Sequence, residues 1–221
     1  MTRYSIDSDA RTKAALSIAT LSIICTILTN QHFFPWFESV ASHIGAEEIY
    51  QTLSTVGITG SIATFAWYGL FWSLFDNLLW KLGIFRHFHG IPNLNGEWSG
   101  CATSSFKNEN GDPYTYDMVL DITQTFTKIQ CAARFANSES KNGCIGISAC
   151  NPEKKRCCLE FSYDNDAGEN AVKVDSWQVS HLGFNKIQCE GHTMNGQYFT
   201  NRDPQTKGTF HLEKTANKKT A

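Results

Sequence analysis

Two long stretches without charged residues occupy the first part of the chain. Residues 56–75 run twenty positions without an Asp, Glu, Lys or Arg, and residues 14–37 run 24 positions. At a helical rise of about 1.5 Å per residue, each stretch can cross the hydrocarbon layer of a bilayer, which is about 30 Å thick. A single segment satisfies its backbone hydrogen bonds in lipid only as an α-helix. The pattern predicts two transmembrane helices, over about residues 14–37 and 52–80.

Basic residues flank both stretches and predict their orientation. Arg3, Arg11 and Lys13 precede the first stretch, and such an arrangement also occurs in secretory signal peptides. No small-x-small cleavage site follows the apolar core and a second apolar stretch comes soon after, so a membrane span is the favoured interpretation.

The connection over residues 38–48 contains no Lys or Arg, whereas Lys81 and Arg86 follow the second stretch. By the positive-inside rule, both termini lie in the cytoplasm and the two helices form a hairpin with a short outer loop. The second helix carries a face of small residues, which can pack either against the first helix or between subunits. These residues are Gly57, Gly60, Ser61, Ala63 and Thr64.

After residue 92 the pattern changes to short segments in which apolar and polar residues alternate. Apolar residues recur at every second position in Met118, Leu120 and Ile122, which alternate with Val119, Asp121 and Thr123. The segments over residues 128–135 and 157–162 follow a similar pattern. Such alternation is typical of antiparallel strands with one buried face. Further strands are predicted over residues 97–104, 143–150, 172–181, 186–192, 197–201 and 206–214. Turns are predicted at Asn110-Gly111, Asn142-Gly143 and Asn195-Gly196.

Eight or nine short strands with regular hairpin spacing suit either a β-sandwich or a closed barrel. The regular spacing favours a small antiparallel up-and-down barrel of about eight strands. Gly96 and Trp98 resemble the Gly-x-Trp start of lipocalin-like barrels, which implies a structural role for both residues. We therefore expect a membrane domain over residues 1–91, a cytoplasmic β-barrel over residues 92–215 and a tail over residues 216–221.

Charge and cysteine content exclude several classes of function. From residue 92 onward there are 14 Lys and Arg residues against 15 Asp and Glu residues, so no DNA or RNA polymer is expected as a partner. The cytoplasmic location predicts reduced cysteines, and no Cys or His pair has the usual spacing of zinc ligands. No nucleotide-binding glycine loop and no hydrolase motif is present, so neither an enzyme, a metal nor a cofactor is predicted.

Several motifs occur in an order that resembles one family along nearly the whole chain. They are the two apolar stretches, Leu94-x-Gly96-x-Trp98-x-Gly100, the segment LEFSYDN, and Tyr198-Phe199-Thr200-x-Arg202 leading to Gly208. The order is similar to that of the two-transmembrane, β-rich effectors of bacterial cyclic-oligonucleotide-based anti-phage signalling (CBASS). The resemblance implies an inner-membrane effector of antiviral defence. Its barrel would bind a cyclic dinucleotide made by a cognate nucleotidyltransferase, and the protein would oligomerise and disrupt the membrane, which leads to abortive infection.

Under that resemblance, the first ligand-binding candidates are Tyr198, Thr200 and Arg202, because Tyr198 and Thr200 share a strand face that Arg202 continues. Tyr163 and Asn165 follow as candidates for stacking and for base-edge contacts. Arg202 can instead pair with Asp203 on the surface. Further candidates are Arg134, Trp177 and His211, each of which can also face solvent or the core.

Two other functions stay open. The lipocalin-like opening also suits a membrane-tethered binding or scaffold module for an apolar ligand or a protein partner. A membrane enzyme with a site at the barrel mouth is the third possibility.

Overall fold

The structure is a computed structural model that describes residues 1–6, 8–45, 48, 58–107, 110–135, 139–151, 153, 156–166, 180–201 and 205–215. Some of these residues are described by their backbone alone. The chain divides into two compact units. One consists of Asp9–Phe85, and the other combines Met1–Ser8 with Arg86–Ala221.

The first unit contains two long helices. Helix α1 spans Ala10–His43 and helix α2 spans Ile58–Asn77, followed by a 3-10 turn at Leu79–Lys81 and by α3 at Gly83–His89, which leads into the second unit. Among the described residues, Ala10–Gln31 is the one helical segment whose length and hydropathy suit a membrane span. The second predicted span overlaps α2, but a second crossing is not confirmed.

Helices α1 and α2 contact each other through small and hydroxyl-bearing residues. The hydroxyls of Thr26 and Thr64 are 3.0 Å apart, and the Trp67 indole N–H donates to Thr29 Oγ1 over 3.1 Å. A methyl group on Gly60 would meet the Asn30 side chain at 3.8 Å. These contacts support packing within one chain as the role of the small-residue face, at least for Gly60 and Thr64.

The second unit is a ten-stranded sheet. Two very short strands precede α1, namely β1 (Thr2–Arg3) and β2 (Ser5–Ile6). The other eight are β3 (Gly96–Lys107), β4 (Pro113–Gln124), β5 (Lys128–Arg134), β6 (Glu139–Asn151), β7 (Arg156–Asp166), β8 (Ser180–Glu190), β9 (Thr193–Thr200) and β10 (Lys207–Lys214).

Each strand from β3 to β10 pairs antiparallel with the next one along the chain, and β10 returns to pair with β3. The ring is nearly closed, because β5 and β6 share only three residue pairs, from Ala132↔Lys141 to Arg134↔Glu139. Alternating positions on the strands fill the barrel, as predicted: Leu120, Leu159, Ile187 and Leu212 are all fully buried. The predicted count of about eight strands omitted β1 and β2.

The N-terminal peptide fills the gap where β5 and β6 diverge. Strand β1 pairs antiparallel with Lys128 and Ile129 of β5, whereas β2 pairs parallel with Gly146 and Ile147 of β6. The prediction of a wholly antiparallel sheet is therefore wrong at this one pairing. Between the two short strands, Tyr4 is 2% exposed and its hydroxyl donates to the Phe126 carbonyl over 2.7 Å. An unpaired strand edge leaves backbone donors and acceptors open, so this peptide completes the wall.

Inward-facing aromatic rings lie over glycines of the neighbouring strand. The Tyr163, Tyr198 and Phe210 rings occupy the space that a Cβ would need at Gly183, Gly208 and Gly196, their cross-strand partners. A flat ring on a glycine keeps its bulk close to the wall, so the barrel can hold three large rings and still leave interior space.

Two of the three predicted turns are wrong. Asn142-Gly143 lies inside β6, at a register shift, and Asn195-Gly196 lies inside β9. The turn before β9 is instead at Gly191, whose φ of 61° suits glycine. The turn at Asn110-Gly111 between β3 and β4 is confirmed, with φ of 85° at Gly111. The predicted strand over residues 172–181 falls mostly outside the described residues, and β8 begins at Ser180.

Tyr4→Ala should destabilise the barrel, because it removes a buried ring and a hydrogen bond from the gap between β5 and β6. We expect a loss of about 3 to 5 kcal/mol in the free energy of unfolding, measured by chemical denaturation of the full chain in detergent. Tyr4→Phe, which loses only the hydrogen bond, should cost about 1 kcal/mol. Equal stability of Tyr4→Ala and the unmodified protein would contradict a structural role for the N-terminal peptide.

Gly196→Ala should also destabilise the barrel, by about 1 to 3 kcal/mol, since the new methyl group forces the Phe210 ring out of its position. A double-mutant cycle with Phe210→Leu tests the cause. The smaller Leu leaves room for the methyl group, so Gly196→Ala should cost clearly less in that background. Strict additivity of the two changes would argue against the ring-on-glycine contact.

Candidate functional site

One end of the barrel, here called the mouth, holds a half-open cavity of about 240 Å³. The mouth cavity is lined by the inward side chains of the strand ends opposite Trp98, and none of the described lining residues is charged. They are Ser104, Phe106, Tyr114, Tyr116, Met118, Ala133, Phe135, Ser140, Tyr163, Asn185, Tyr198, Thr200, Thr206 and Phe210.

Three of the predicted ligand-binding residues meet in this cavity. Tyr198 and Thr200 lie two residues apart on β9, and Tyr163 lies on β7, across β8 from them. Tyr163 and Thr200 are 7% and 5% exposed, so their side chains face the interior. Face alternation along two strands separated by one neighbour therefore brings the three side chains to one place.

Aromatic side chains form much of the cavity wall. The Tyr116 hydroxyl donates to the Tyr198 hydroxyl over 3.0 Å, which joins β4 to β9 across the mouth. The Tyr116 ring also contacts Tyr114 at 5.9 Å and, edge to face, Phe135 at 5.6 Å between centroids. Flat π-faces with hydroxyls at their edges can stack on a planar heterocycle and hydrogen-bond its rim.

Buried polar groups complete the cavity. The hydroxyls of Thr200 and Thr206 lie 2.9 Å apart and so partly satisfy each other. Asn185 is 4% exposed, and it is one of the residues that line the cavity. A carboxamide offers both a hydrogen-bond acceptor and a donor. Asn185 is thus suited to bind a donor and an acceptor on a ligand.

The other predicted site residues are not in the mouth cavity. Arg134 points outward, where it pairs with Asp121 at 2.7 Å and with Glu97 at 3.2 Å. His211 also faces outward, 2.7 Å from the Asn195 side chain, in a surface groove of about 550 Å³. That groove is larger than the mouth cavity and is lined mainly by polar side chains.

Arg202 and Trp177 lie outside the described residues, so their roles stay predictions. Asn165 belongs to β7, opposite Ser140 and His181, but its side chain is not described. At the opposite end of the barrel, the floor, Trp98 is 1% exposed and its indole donates to the Leu94 carbonyl over 3.0 Å. Gly96 has a φ of 125°, which only glycine adopts without strain.

Sequence reasoning missed Asn185, Tyr116 and Ser140. A signal for Asn185 was available in the sequence. It comes two residues before Ile187 and four before Cys189, so it lies on the same inward face of β8 as these buried residues. The predicted strand began one residue later, at position 186, so Asn185 was assigned to no face.

The described cysteines are free thiols in this unit, and burial makes several of them unreactive. Burial raises the pKa of Cys131 to about 12. A hydrogen bond with Cys189, its partner across β7 and β8, and burial both raise the pKa of Cys157. Among the described residues, no cluster of three His, Cys, Asp or Glu side chains could hold a metal ion.

Comparison with known families identifies the barrel. Residues 89–214 match the family described as Cap15, cyclic dinucleotide receptor domain. The match covers more than half of the chain and includes β3 to β10. No curated protein matches the chain. The family's described role is binding, and it indicates no enzymatic class. The chain therefore belongs to the Cap15 family, the β-barrel effectors of CBASS that the order of its sequence motifs resembles.

Proposed function

We propose that this chain is an effector of bacterial anti-phage defence, and that its mouth cavity binds the activating cyclic dinucleotide. The observation that carries this proposal is a cavity walled by tyrosines whose lining includes the buried Asn185. A nucleobase offers what such a site needs, since it combines a flat π-face with donors and acceptors on its edge. Stacking on an aromatic side chain contributes about 1 to 3 kcal/mol per base.

The size of the cavity limits how the ligand enters. Its volume of about 240 Å³ is below the range of roughly 300 to 1,000 Å³ typical for small-molecule sites. We infer that one base enters the cavity beside Tyr198 and Asn185, which are cross-strand neighbours, while the sugar and phosphate ring stays at the rim. Tyr163 and Asn165 would then contact the base or its ribose from β7.

The phosphates need cations that the cavity lining lacks. Arg202 follows Thr200 by two residues, and its guanidinium is the proposed fork for a phosphate. The near-neutral charge of the barrel sequence gives no long-range attraction, so this contact must act at short range.

The contacts of the N-terminal peptide support a topology with two crossings. Strands β1 and β2 belong to the barrel wall, so the N-terminus lies on the same side of a membrane as the barrel. If α1 crosses the bilayer, the chain must return before Arg86. Helix α2 can provide the return, because it exposes the large apolar side chains of Ile62, Phe65, Leu70 and Leu74. With the positive-inside rule, both termini and the barrel lie in the cytoplasm.

We further propose that ligand binding drives oligomerisation and disruption of the inner membrane. The ligand can shift the protein toward an oligomer only if it binds that state more tightly than the resting one. An ordinary apolar ligand is the competing candidate, since the described cavity lining is uncharged and largely aromatic.

Asn185→Ala should weaken binding of the cognate cyclic dinucleotide about tenfold, because the base edge loses its hydrogen-bonding partner. Calorimetry of the full chain in detergent, with a panel of cyclic dinucleotides, measures this change. The full chain is needed because residues 1–6 complete the barrel wall. The free energy of unfolding of the free protein should change by no more than about 1 kcal/mol, which shows that the variant still folds.

Asn195→Ala is the matched control, because this asparagine faces outward on β9 and contacts His211. Its affinity should remain within about twofold of the unmodified protein. Absence of heat with every cyclic dinucleotide would refute the receptor function. Equal affinities of Asn185→Ala and Asn195→Ala would move the site away from the mouth.

Cysteine labelling tests the topology. Cys101 is exposed on the outer surface of the barrel and should react with a membrane-impermeant maleimide only after spheroplasts are permeabilised. Ser42→Cys, near the end of α1, should react in intact spheroplasts. Labelling of Cys101 in intact spheroplasts would contradict a cytoplasmic barrel.

A further inference from the structure

Two cysteines face each other across β7 and β8 near the floor of the barrel. Cys157 lies directly opposite Cys189 in the register of the two strands. Both side chains face the interior, where they are 5% and 4% exposed, and a hydrogen bond joins them. Both are free thiols. The proposed receptor function makes no use of this pair.

The register of the two strands suits a disulfide bond between these thiols. Directly paired residues of antiparallel strands have Cα atoms about 4.5 to 5.5 Å apart, and a disulfide joins residues whose Cα atoms are about 4.4 to 6.8 Å apart. The two sulfur atoms already contact each other through their hydrogen bond. The folded barrel therefore holds both thiols where a rotation of the side chains can bring them to bonding distance.

A small cavity gives an oxidant access to the pair. This floor cavity has a volume of about 230 Å³ and is lined by Cys157 and Cys189, together with Gly191 and His192 of the turn before β9. A water molecule occupies about 30 Å³ in the liquid, so the cavity can admit a reagent as small as hydrogen peroxide. A peptide-sized oxidant such as oxidised glutathione is too large for this volume.

We propose that Cys157 and Cys189 form a redox-sensitive staple, in which hydrogen peroxide converts the two thiols into a disulfide between β7 and β8. The thiolate of one cysteine attacks a peroxide oxygen and breaks the O–O bond, which gives a sulfenic acid and a hydroxide that takes up the thiol proton. The second cysteine attacks that sulfur, and its proton leaves with the hydroxyl group as water. Two thiols thus lose two electrons, and one peroxide is reduced to two water molecules.

The staple would fix the hairpin of β7 and β8, which also carries Tyr163 and Asn185 of the mouth cavity. A disulfide stabilises a fold mainly by restricting the unfolded chain, and this effect grows with the length of chain that it closes. Cys157 and Cys189 are about thirty residues apart in the sequence. In a reducing cytoplasm the pair stays a dithiol until peroxide accumulates, which is the behaviour of a redox sensor. This inference goes beyond the receptor function and does not depend on it.

Formation of the staple should be slow at neutral pH and faster in base. Only a thiolate attacks peroxide, whereas the hydrogen bond with Cys189 and burial both raise the pKa of Cys157. Below the pKa of a thiol, its thiolate fraction grows about tenfold per pH unit. The rate of disulfide formation should therefore rise about tenfold from pH 7 to pH 8.

Mass spectrometry of the full chain in detergent, after peroxide treatment, tests the proposal. The remaining thiols are alkylated under denaturing conditions before digestion. The expected product is a cross-linked peptide pair that contains Cys157 and Cys189 and has lost two hydrogen atoms. Cys158 is adjacent in the sequence but faces outward, where it contacts Glu160, so Cys158→Ser should still give this product. Cys157→Ala should abolish it.

Cys131→Ala is the matched control, because it removes another buried thiol of the barrel interior, on β5. It should leave the cross-link unchanged. Thermal unfolding provides the second readout. Oxidation should raise the Tm of the unmodified protein and of Cys131→Ala by about 5 °C or more, and it should not raise the Tm of Cys157→Ala.

Oxidation of the exposed Cys101 shows that the peroxide treatment was effective. Absence of the cross-link between Cys157 and Cys189 under those conditions would overturn the proposal, as would a cross-link that leaves the Tm unchanged. A gain in Tm that persists in Cys157→Ala would also contradict it. Neither readout involves a cyclic dinucleotide, so failure of the receptor function is recognised separately, by the calorimetry of Asn185→Ala.

Discussion

The pairing of residues 1–6 with the barrel wall constrains the rest of the molecule. Strands β5 and β6 contact each other directly through three residue pairs, and the remaining gap is filled by backbone that comes before α1. The barrel is therefore assembled from two parts of the sequence separated by about eighty residues of the helical unit. This arrangement attaches the barrel covalently to both ends of that unit. If the unit crosses a membrane, it must do so an even number of times between residues 9 and 86.

The same gap bears on the ligand site. Ala133 and Ser140 face each other in the direct pairing of β5 with β6, and both line the mouth cavity. A ligand that needs more room than the cavity offers can widen the mouth on this side only by stretching that short ladder. The wall beside it is the N-terminal peptide that leads into α1. Occupation of the mouth and the position of the N-terminal peptide thus both depend on the pairing of β5 with β6. A receptor that passes a signal from its ligand site to its helices requires a shared element of this kind.

Alternation of side chains was sufficient to predict the central strands, because burial on one face dictates an apolar residue at every second position. It could not predict β1 and β2, since two residues carry no periodicity. The wrong turns have particular causes. Asn142 stays in β6 because its side chain accepts from the Cys131 N–H at 2.7 Å and donates to Thr2, so the asparagine holds the gap together.

Gly196 stays in β9 because the Phe210 ring needs the space above it. In both cases a residue that is typical of turns lies in a strand because it contacts a residue far away in the sequence. Such a contact cannot be recognised from the neighbouring residues alone. The mouth was predictable to the extent that face parity applied: Tyr198 and Thr200 share a face, and Tyr163 joins them. Asn185 was missed because the predicted strand began one residue too late, so the alternation that places Ile187 and Cys189 inside was not extended to it.

The mouth of the barrel offers only part of the chemistry that a phosphorylated ligand needs. It presents aromatic rings, hydroxyls and an amide, and it is uncharged along its described lining. A base binds well where water is excluded and hydrogen bonds are precise, but a phosphate needs a cation nearby. The mouth alone therefore suits the bases of a cyclic dinucleotide better than its backbone. A cation would complete the site for the phosphates, and Arg202, two residues beyond Thr200 in the sequence, is the residue that we propose for this role.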